Sequence, residues 1–332
     1  MAEKISYSVV IRTIGKAGEK YQRLLDSVDK LEPKPEEVIV VLPFGYDRPK
    51  EQLGYERFCY SEKGMVHQRQ KGFEECRSEY ALICDDDVCF GPDFVQKLYK
   101  PLKEGYGKIS AAPLYSFLPQ KGFRAFIDCL SGAAAPTLFH KNQYVSVLNT
   151  SGYSYNRHLK TSKELYESQS LPGTCFFCET KGILAAGLEE EFWVDARKYS
   201  SMEDQVLIYK AWLRGMKSVV VPDAEYEHLD GKTSTQGDKS PVLYAHRFNR
   251  TVFWKRFLYD QKKTHLGRFW CRIAYRYRLT CGTILDRIAV LRKKYSKEEY
   301  QRIKDGLKDG WEFVRSEEYS RLPKVIIQDN NE

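Results

Sequence analysis

Tyr80-Ala81-Leu82-Ile83-Cys84-Asp85-Asp86-Asp87 is the stretch on which the fold turns: five strand-forming residues run without a turn signal into three adjacent carboxylates. An uninterrupted apolar run of this length is what a parallel strand buried on both faces requires. Working outward, a helical segment from Val66 to Cys76 precedes the strand. Before it come an apolar strand over Glu37 to Leu42, the turn Pro33-Lys34-Pro35, and a helical pattern that puts Tyr21, Leu24, Leu25 and Val28 on one face. The first strand is Ser6 to Thr13. Strand, helix and strand in repeating order give parallel βαβ units, so the first hundred residues read as the nucleotide-binding half of an open α/β sheet. Beyond about Ile109 the pattern breaks into short strands, aromatics and turns. Helices return at Thr180 to Leu188 and Glu203 to Arg214, the latter stopped by Gly215, and Val219-Val220-Val221 is one more strand.

In an open α/β sheet, ligands sit at the carboxyl ends of the strands. Three neighbouring carboxylates placed there repel one another and call for a hard cation, Mn²⁺ or Mg²⁺. Elsewhere the same acids would be a solvated turn. The 332 residues, 42% hydrophobic, suit one large α/β domain with an appendage. Nine scattered cysteines point to reduced thiols in a cytosolic setting, and Cys175-Phe176-Phe177-Cys178 lacks the second pair that a zinc site needs. The amino terminus has no apolar leader and no stretch is long enough to span a bilayer, so a cytoplasmic location is expected. The net charge of +8 is local: Lys255 to Lys294 holds twelve Lys/Arg against Asp260 and Asp286, a segmental +10 that leaves −2 for the rest. Nucleic-acid binding by the surface at large is therefore not expected, whereas an anionic partner for this segment is.

The run Ser8-Val9-Val10-Ile11-Arg12-Thr13, the helix carrying Arg69, the strand into Asp85-Asp86-Asp87-Val88, Met202-Glu203-Asp204-Gln205 followed by Gly215, His228, and Arg247-Phe248-Asn249-Arg250 together resemble family 2 glycosyltransferases of the GT-A fold. The resemblance spans residues 6 to 258. It implies a Rossmann-like, mostly parallel open sheet with a C-terminal helical extension. It also implies an inverting, metal-dependent transfer from a nucleotide-diphosphate sugar, a UDP-sugar foremost, to a hydroxyl of a glycan or lipid-linked glycan acceptor, as in bacterial-type surface polysaccharide synthesis. By that resemblance Asp204 is the general base and Glu203 assists it. Asp85 and Asp87, with His228, hold the metal, and Thr13, Arg69, Asp85, Asp86, Arg247 and Arg250 contact the nucleotide sugar.

Read from the residues alone, Ser200-x-x-Glu203 and Ser201-x-x-Asp204 fit a capping box equally well. His228 could be structural, and Arg247 and Arg250 could pack the domain's last helix. After the second strand this chain has Leu42-Pro43-Phe44-Gly45 where many relatives carry a base-reading acid, with Asp47 only later, which leaves the base open. A sugar-phosphate nucleotidyltransferase shares the α/β half, but Ile14-Gly15-Lys16-Ala17-Gly18 is too sparse for its Gly-rich loop. A non-catalytic carbohydrate- or membrane-surface protein of the same fold is the other alternative.

The expected division is a catalytic domain over 1–260 (donor half 1–108, acceptor half 109–260), a basic amphipathic tail over 261–322 and a polar C-terminus over 323–332. In the tail, Leu266, Phe269, Trp270, Ile273, Ala274, Tyr277, Ile284, Leu285 and Ile288 follow helical spacing, with arginines largely between them. That is the composition of an interfacial helix, and it places residues 261–294 on an anionic surface, peripheral at the inner face of the cell membrane. A helix packed on the catalytic domain is the alternative. Glu299 to Val314 is a second amphipathic segment expected to pair with the first, and a chain ending near Asp260 is expected to stay folded.

Overall fold

The structure, a computed structural model, describes residues 4–115, 121–197, 199–229 and 239–328. Asp230 and the last four residues of the expected polar C-terminus lie outside the described residues. In chain order the elements are β1 (Tyr7–Arg12), α1 (Glu19–Val28), β2 (Glu37–Pro43), β3 (Arg57–Ser61), α2 (Met65–Glu75), β4 (Tyr80–Asp85), β5 (Val88–Phe90), α3 (Phe94–Lys103), β6 (Ile109–Ala111), α4 (Phe123–Leu130), β7 (Val145–Val147) and β8 (Tyr153–Tyr155). Then follow β9 (Tyr166–Ser168), β10 (Cys175–Glu179), α5 (Thr180–Ala185), α6 (Glu203–Leu213), β11 (Ser218–Val220), β12 (Tyr226–His228), α7 (Ser240–Phe253), α8 (His265–Leu291), α9 (Lys297–Phe313) and α10 (Glu317–Arg321).

Eight strands form one sheet in the order β3-β2-β1-β4-β10-β6-β11-β9. The β3-β2-β1-β4 half is all parallel, β10 runs antiparallel between β4 and β6, and β9 is antiparallel at the far edge. The mostly parallel α/β architecture with C-terminal helices is thus present. β3 has no counterpart in the sequence reading, because Arg57-Phe58-Cys59-Tyr60-Ser61 is short and half polar, as an edge strand can be. Alternation along β1 sends Val9 and Ile11 to one core with α1 and α3, and Val10 to the other with Val66 and Phe73 of α2. The same alternation settles the Cys-x-x-Cys question: Cys175 and Cys178 of β10 point into opposite cores and cannot share a metal.

The carboxyl-terminal helices complete the second core. Cys271 and Tyr275 of α8, and Ile303 and Phe313 of α9 with the adjoining Val314, are buried. α9 docks chiefly on α7 and touches α8 far less, so the expected pairing of the two tail helices is minor. Gly306 and Gly310 make that docking possible, since a Cβ on Gly306 would lie 2.2 Å from the Tyr244 carbonyl oxygen and one on Gly310 3.0 Å from Thr251 Cβ. α8 is continuous over 27 residues despite Gly267 and Gly282. Its other face is bare: Leu266, Phe269, Trp270, Ile273, Tyr277 and Ile284 are all exposed. The helix therefore packs on the body of the protein and also presents the aromatic face read from the sequence. Among the described residues no helix is long and apolar enough to cross a membrane.

Candidate active site

The parallel register of β1 and β4 sets Arg12 opposite Asp85 at the carboxyl edge of the sheet. Arg12 Nε donates to Asp85 Oδ1 at 2.5 Å and Nη2 to Oδ2 at 3.1 Å, so the guanidinium takes both carboxylate oxygens. Its Nη1 lies 2.8 Å from Glu203 Oε1 at the start of α6, and Arg69 Nη2 of α2 donates to the same oxygen at 2.8 Å. Burial pushes the Glu203 carboxyl up, but Arg12 and Arg69 outweigh it and hold the group below its ordinary value. A charge at the end of an otherwise apolar strand must be paired, and that signal could have singled out Arg12, which the sequence reading quoted without assigning it a role.

Two expectations change here. Arg69 is 1% exposed and bonds Glu203 and the Gly173 carbonyl, so it braces the site from within and has no surface to offer a nucleotide. Glu203 is 3% exposed and faces the two arginines, so its part is to fix them and its neighbour, and contact with an acceptor hydroxyl is not open to it.

Asp204 is the next residue and is partly open. Its Oδ2 accepts from the Gly173 backbone N–H at 3.2 Å and its Oδ1 from the Gln205 N–H at 2.9 Å. Burial, then the negative Glu203, raise its carboxyl to about 7. Gly173 is required for this approach, because a Cβ there would fall 2.4 Å from Asp204 Cβ. The capping-box reading is not realised: the N-cap of α6 is Met202, in the left-handed region at φ 69°, without a side-chain cap, and Ser200 Oγ instead accepts from Met65 N–H.

On the other side of Asp85, Thr13 Oγ1 donates to Asp86 Oδ2 at 2.6 Å and accepts from Gly15 N–H at 2.9 Å. Thr13 thus positions Asp86, whose carboxyl burial raises to about 7. Gln68, beside Arg69 on α2, donates to the Thr13 and Val41 carbonyls and ties the two strand ends together. The short pair β5 and β12 sets His228 opposite Val88, and the Leu229 N–H donates to the Asp87 carbonyl at 2.7 Å. His228 Nε2 consequently lies 3.4 Å from Asp87 Oδ2. Of the three expected metal ligands, then, Asp87 and His228 converge while Asp85 is turned to Arg12. Among the described residues no group of three or more His, Cys, Asp or Glu is arranged to hold a metal.

Arg247 and Arg250 lie elsewhere, on α7 facing α8. Arg247 Nη2 donates to Asp286 at 2.6 Å, and Arg250 Nη2 meets His246 Nε2 at 3.1 Å.

Residues 8–125, from β1 through the acidic triplet and into α4, match the description of glycosyl transferase family 2. Asp204, His228, Arg247 and Arg250 lie beyond the family 2 segment. Whole-chain similarity to solved structures extends further: GalNAc-T7 with UDP, GalNAc and Mn²⁺ superposes with a TM-score of 0.52 at 16% identity, over 84% of this chain and 55% of that one. S. aureus TarS 1-349 gives 0.52 at 15% identity, over 92% and 80% respectively, and its complex with UDP-GlcNAc gives 0.50 over the same shares. The chain thus spans little more than half of the first structure, and at these identities the likeness is one of fold. No curated protein sequence matches the chain.

Proposed function

We propose that this protein is an inverting glycosyltransferase that moves a sugar from a nucleotide-diphosphate sugar, a UDP-sugar foremost, to a hydroxyl of a glycan or lipid-linked glycan acceptor. The observation that carries the reading is Asp204: a partly open carboxylate held by two backbone N–H groups beside the acidic strand end, and poised near neutrality. A general base works best when its pKa lies near the working pH. Asp204 takes the acceptor hydroxyl's proton as that oxygen attacks the anomeric carbon, and Arg12 and Arg69 keep Glu203 charged and fixed next to it. The family 2 segment and the nucleotide-bound relatives of the same fold support the donor class.

Asp87 and His228 fit a Mn²⁺ or Mg²⁺ ion of the kind bound by one or two side chains together with substrate phosphates. When bound, such an ion stabilises the charge of a departing nucleoside diphosphate. Asp85 supports the site through Arg12, and Thr13 holds Asp86 at its edge.

Initial rates across pH test the base. The folded-state pKa of Asp204 is raised, so its proton favours the fold at low pH and that contribution is lost as pH climbs through about 7. Activity runs the other way, because only the ionised carboxylate accepts a proton. With a panel of nucleotide sugars as donors, kcat/KM should rise with pH through about 7 and then level. A profile flat from pH 5 to 9 would remove Asp204 from the role. Asp87→Ala should abolish Mn²⁺-dependent nucleotide binding, measured by calorimetry with UDP, and undiminished binding would discard the metal assignment.

The membrane reading of the tail gains a second element. α4 buries none of its residues and exposes Phe123, Phe126 and Leu130, with Leu138 and Phe139 exposed beyond it. It adjoins the aromatic face of α8, where the Tyr277 hydroxyl donates to the Leu130 carbonyl. Arg268, Arg272 and Arg276 flank that face, matching an anionic leaflet with apolar depth. Trp270→Asp and Phe126→Asp should each weaken binding to phosphatidylglycerol vesicles by roughly tenfold or more, given the apolar area each side chain would insert. If full-length protein ignores such vesicles at low salt, the membrane reading fails.

A further inference from the structure

Behind the exposed aromatic face, the seam between α7 and α8 gathers three guanidiniums. Arg247 Nη1 and Arg278 Nη1 lie 3.6 and 3.2 Å from the point where a Cβ on Gly282 would fall, so the glycine opens the space in which they meet. Arg250 joins them from one turn along α7. Among the described residues one carboxylate is bonded to this group, Asp286, on Arg247. His246 gives no charge relief: burial, then its arginine neighbours, hold it well below its ordinary value, and as a neutral ring it accepts from Arg250. Arg250 Nε and both Nε and Nη1 of Arg278 are shielded from solvent without a hydrogen-bond acceptor. Arg250 is itself pushed down to about 10, by burial first and then by Arg278 and Arg247.

Buried donors on like charges are costly unless something negative completes them. Guanidinium forks match phosphate oxygens geometrically, and three forks arriving from two helices suit a tetrahedral group better than one planar carboxylate. The position also has a direction. Asn249, between Arg247 and Arg250 on α7, donates to the Ser201 carbonyl at 2.7 Å, which sets this stretch of α7 against the segment leading into Glu203 and Asp204, and the buried Tyr153 hydroxyl, likewise without a partner, feels both Arg250 and Asp204.

We propose that Arg247, Arg250 and Arg278 form a binding site for a phosphate group of the acceptor. The proposal rests on Asp204 being the acceptor's base. It assigns the acceptor to the phosphate-bearing class, whether the phosphate links repeating units of a polymer or joins a glycan to a lipid. It also gives Arg247 and Arg250 a partner other than the donor nucleotide.

Calorimetry and melting curves on the full chain, with inorganic phosphate as the probe and sodium chloride at matched ionic strength as the control, test it. Phosphate should bind and raise the melting temperature, and UDP with Mn²⁺ should bind alongside it. Arg278→Gln and Arg250→Gln should each lose at least about tenfold in phosphate affinity, the loss expected for a hydrogen bond to a charged group. In the absence of phosphate, Arg278→Gln should melt no lower than wild type, because it removes one of three mutually repelling charges. Three results would overturn the proposal: no phosphate binding above the chloride control, unchanged phosphate affinity in both variants, or displacement of phosphate by UDP, which would give the site to the donor diphosphate. Phosphate binding retained with no UDP binding at all would instead count against the transferase reading. Dodecyl phosphate binding more tightly than inorganic phosphate would favour the lipid-linked form of acceptor, and equal affinity the polymer.

Discussion

Asp204→Asn should bind the donor as wild type does, yet transfer sugar at least about 100-fold more slowly, the loss expected when a general base is removed. The substitution keeps the side chain's size beside Gly173, where there is no space to spare. Its single amide oxygen can still accept from the Gln205 N–H, but the amide nitrogen then faces the Gly173 N–H, which the carboxylate had satisfied. Against that loss stands a gain, since the neutral amide has no charge to desolvate next to Glu203. Stability should therefore change by no more than about 1–2 kcal/mol. Single-turnover transfer with saturating donor, read beside UDP affinity and a melting curve, separates the terms. Normal turnover in a folded variant would remove the base assignment, and a collapse of UDP affinity would mean that the residue acts through the donor site.

Ending the chain after Asp260 should unfold it, contrary to what the sequence alone suggests. Tyr275, Phe313 and Val314 are buried in the core that α6 and α7 share, and Ile303 is buried as well. At about 1.5–3 kcal/mol for each such side chain, their loss is on the order of 10 kcal/mol. That is as large as the whole stability of a typical domain. The cut would also uncover Phe248 and Trp254, which now pack against Phe313 and Trp311. Far-ultraviolet circular dichroism and limited proteolysis of residues 1–260 decide the matter. A cooperative melt near the full-length temperature would restore the tail as a separable appendage.

The contrast shows where the sequence speaks. β1, β2 and β4 are continuous apolar runs whose chain order already implies a parallel sheet, and the acids at the end of β4 could be placed at its ligand-binding edge without further information. Asp204 was likewise legible as one of two readings, and what sets the capping box aside is the bond that Ser200 makes instead to Met65, 135 positions away in the chain. What could not be read is whatever depends on a distant partner. The helix bearing Arg69 was recognisable, but that its side chain turns inward to Glu203 depends on how α2 and α6 approach each other. The aromatic periodicity of α8 showed an amphipathic helix without revealing that Cys271 and Tyr275 form a second, inward strip. What Gly306 and Gly310 of α9 do, letting the backbone of α7 approach, likewise depends on a distant partner.

The ion pairs of Arg12 with Asp85 and Glu203 have a mechanical consequence. One side chain joins the end of β4, where the acidic triplet lies, to the start of α6, which carries Asp204. Separating these elements would strand buried charges, at a cost of about 3–5 kcal/mol. The junction of β4 and α6 is therefore a rigid joint and not a hinge, and any motion of the protein around Asp204 is expected in the segments that surround this joint.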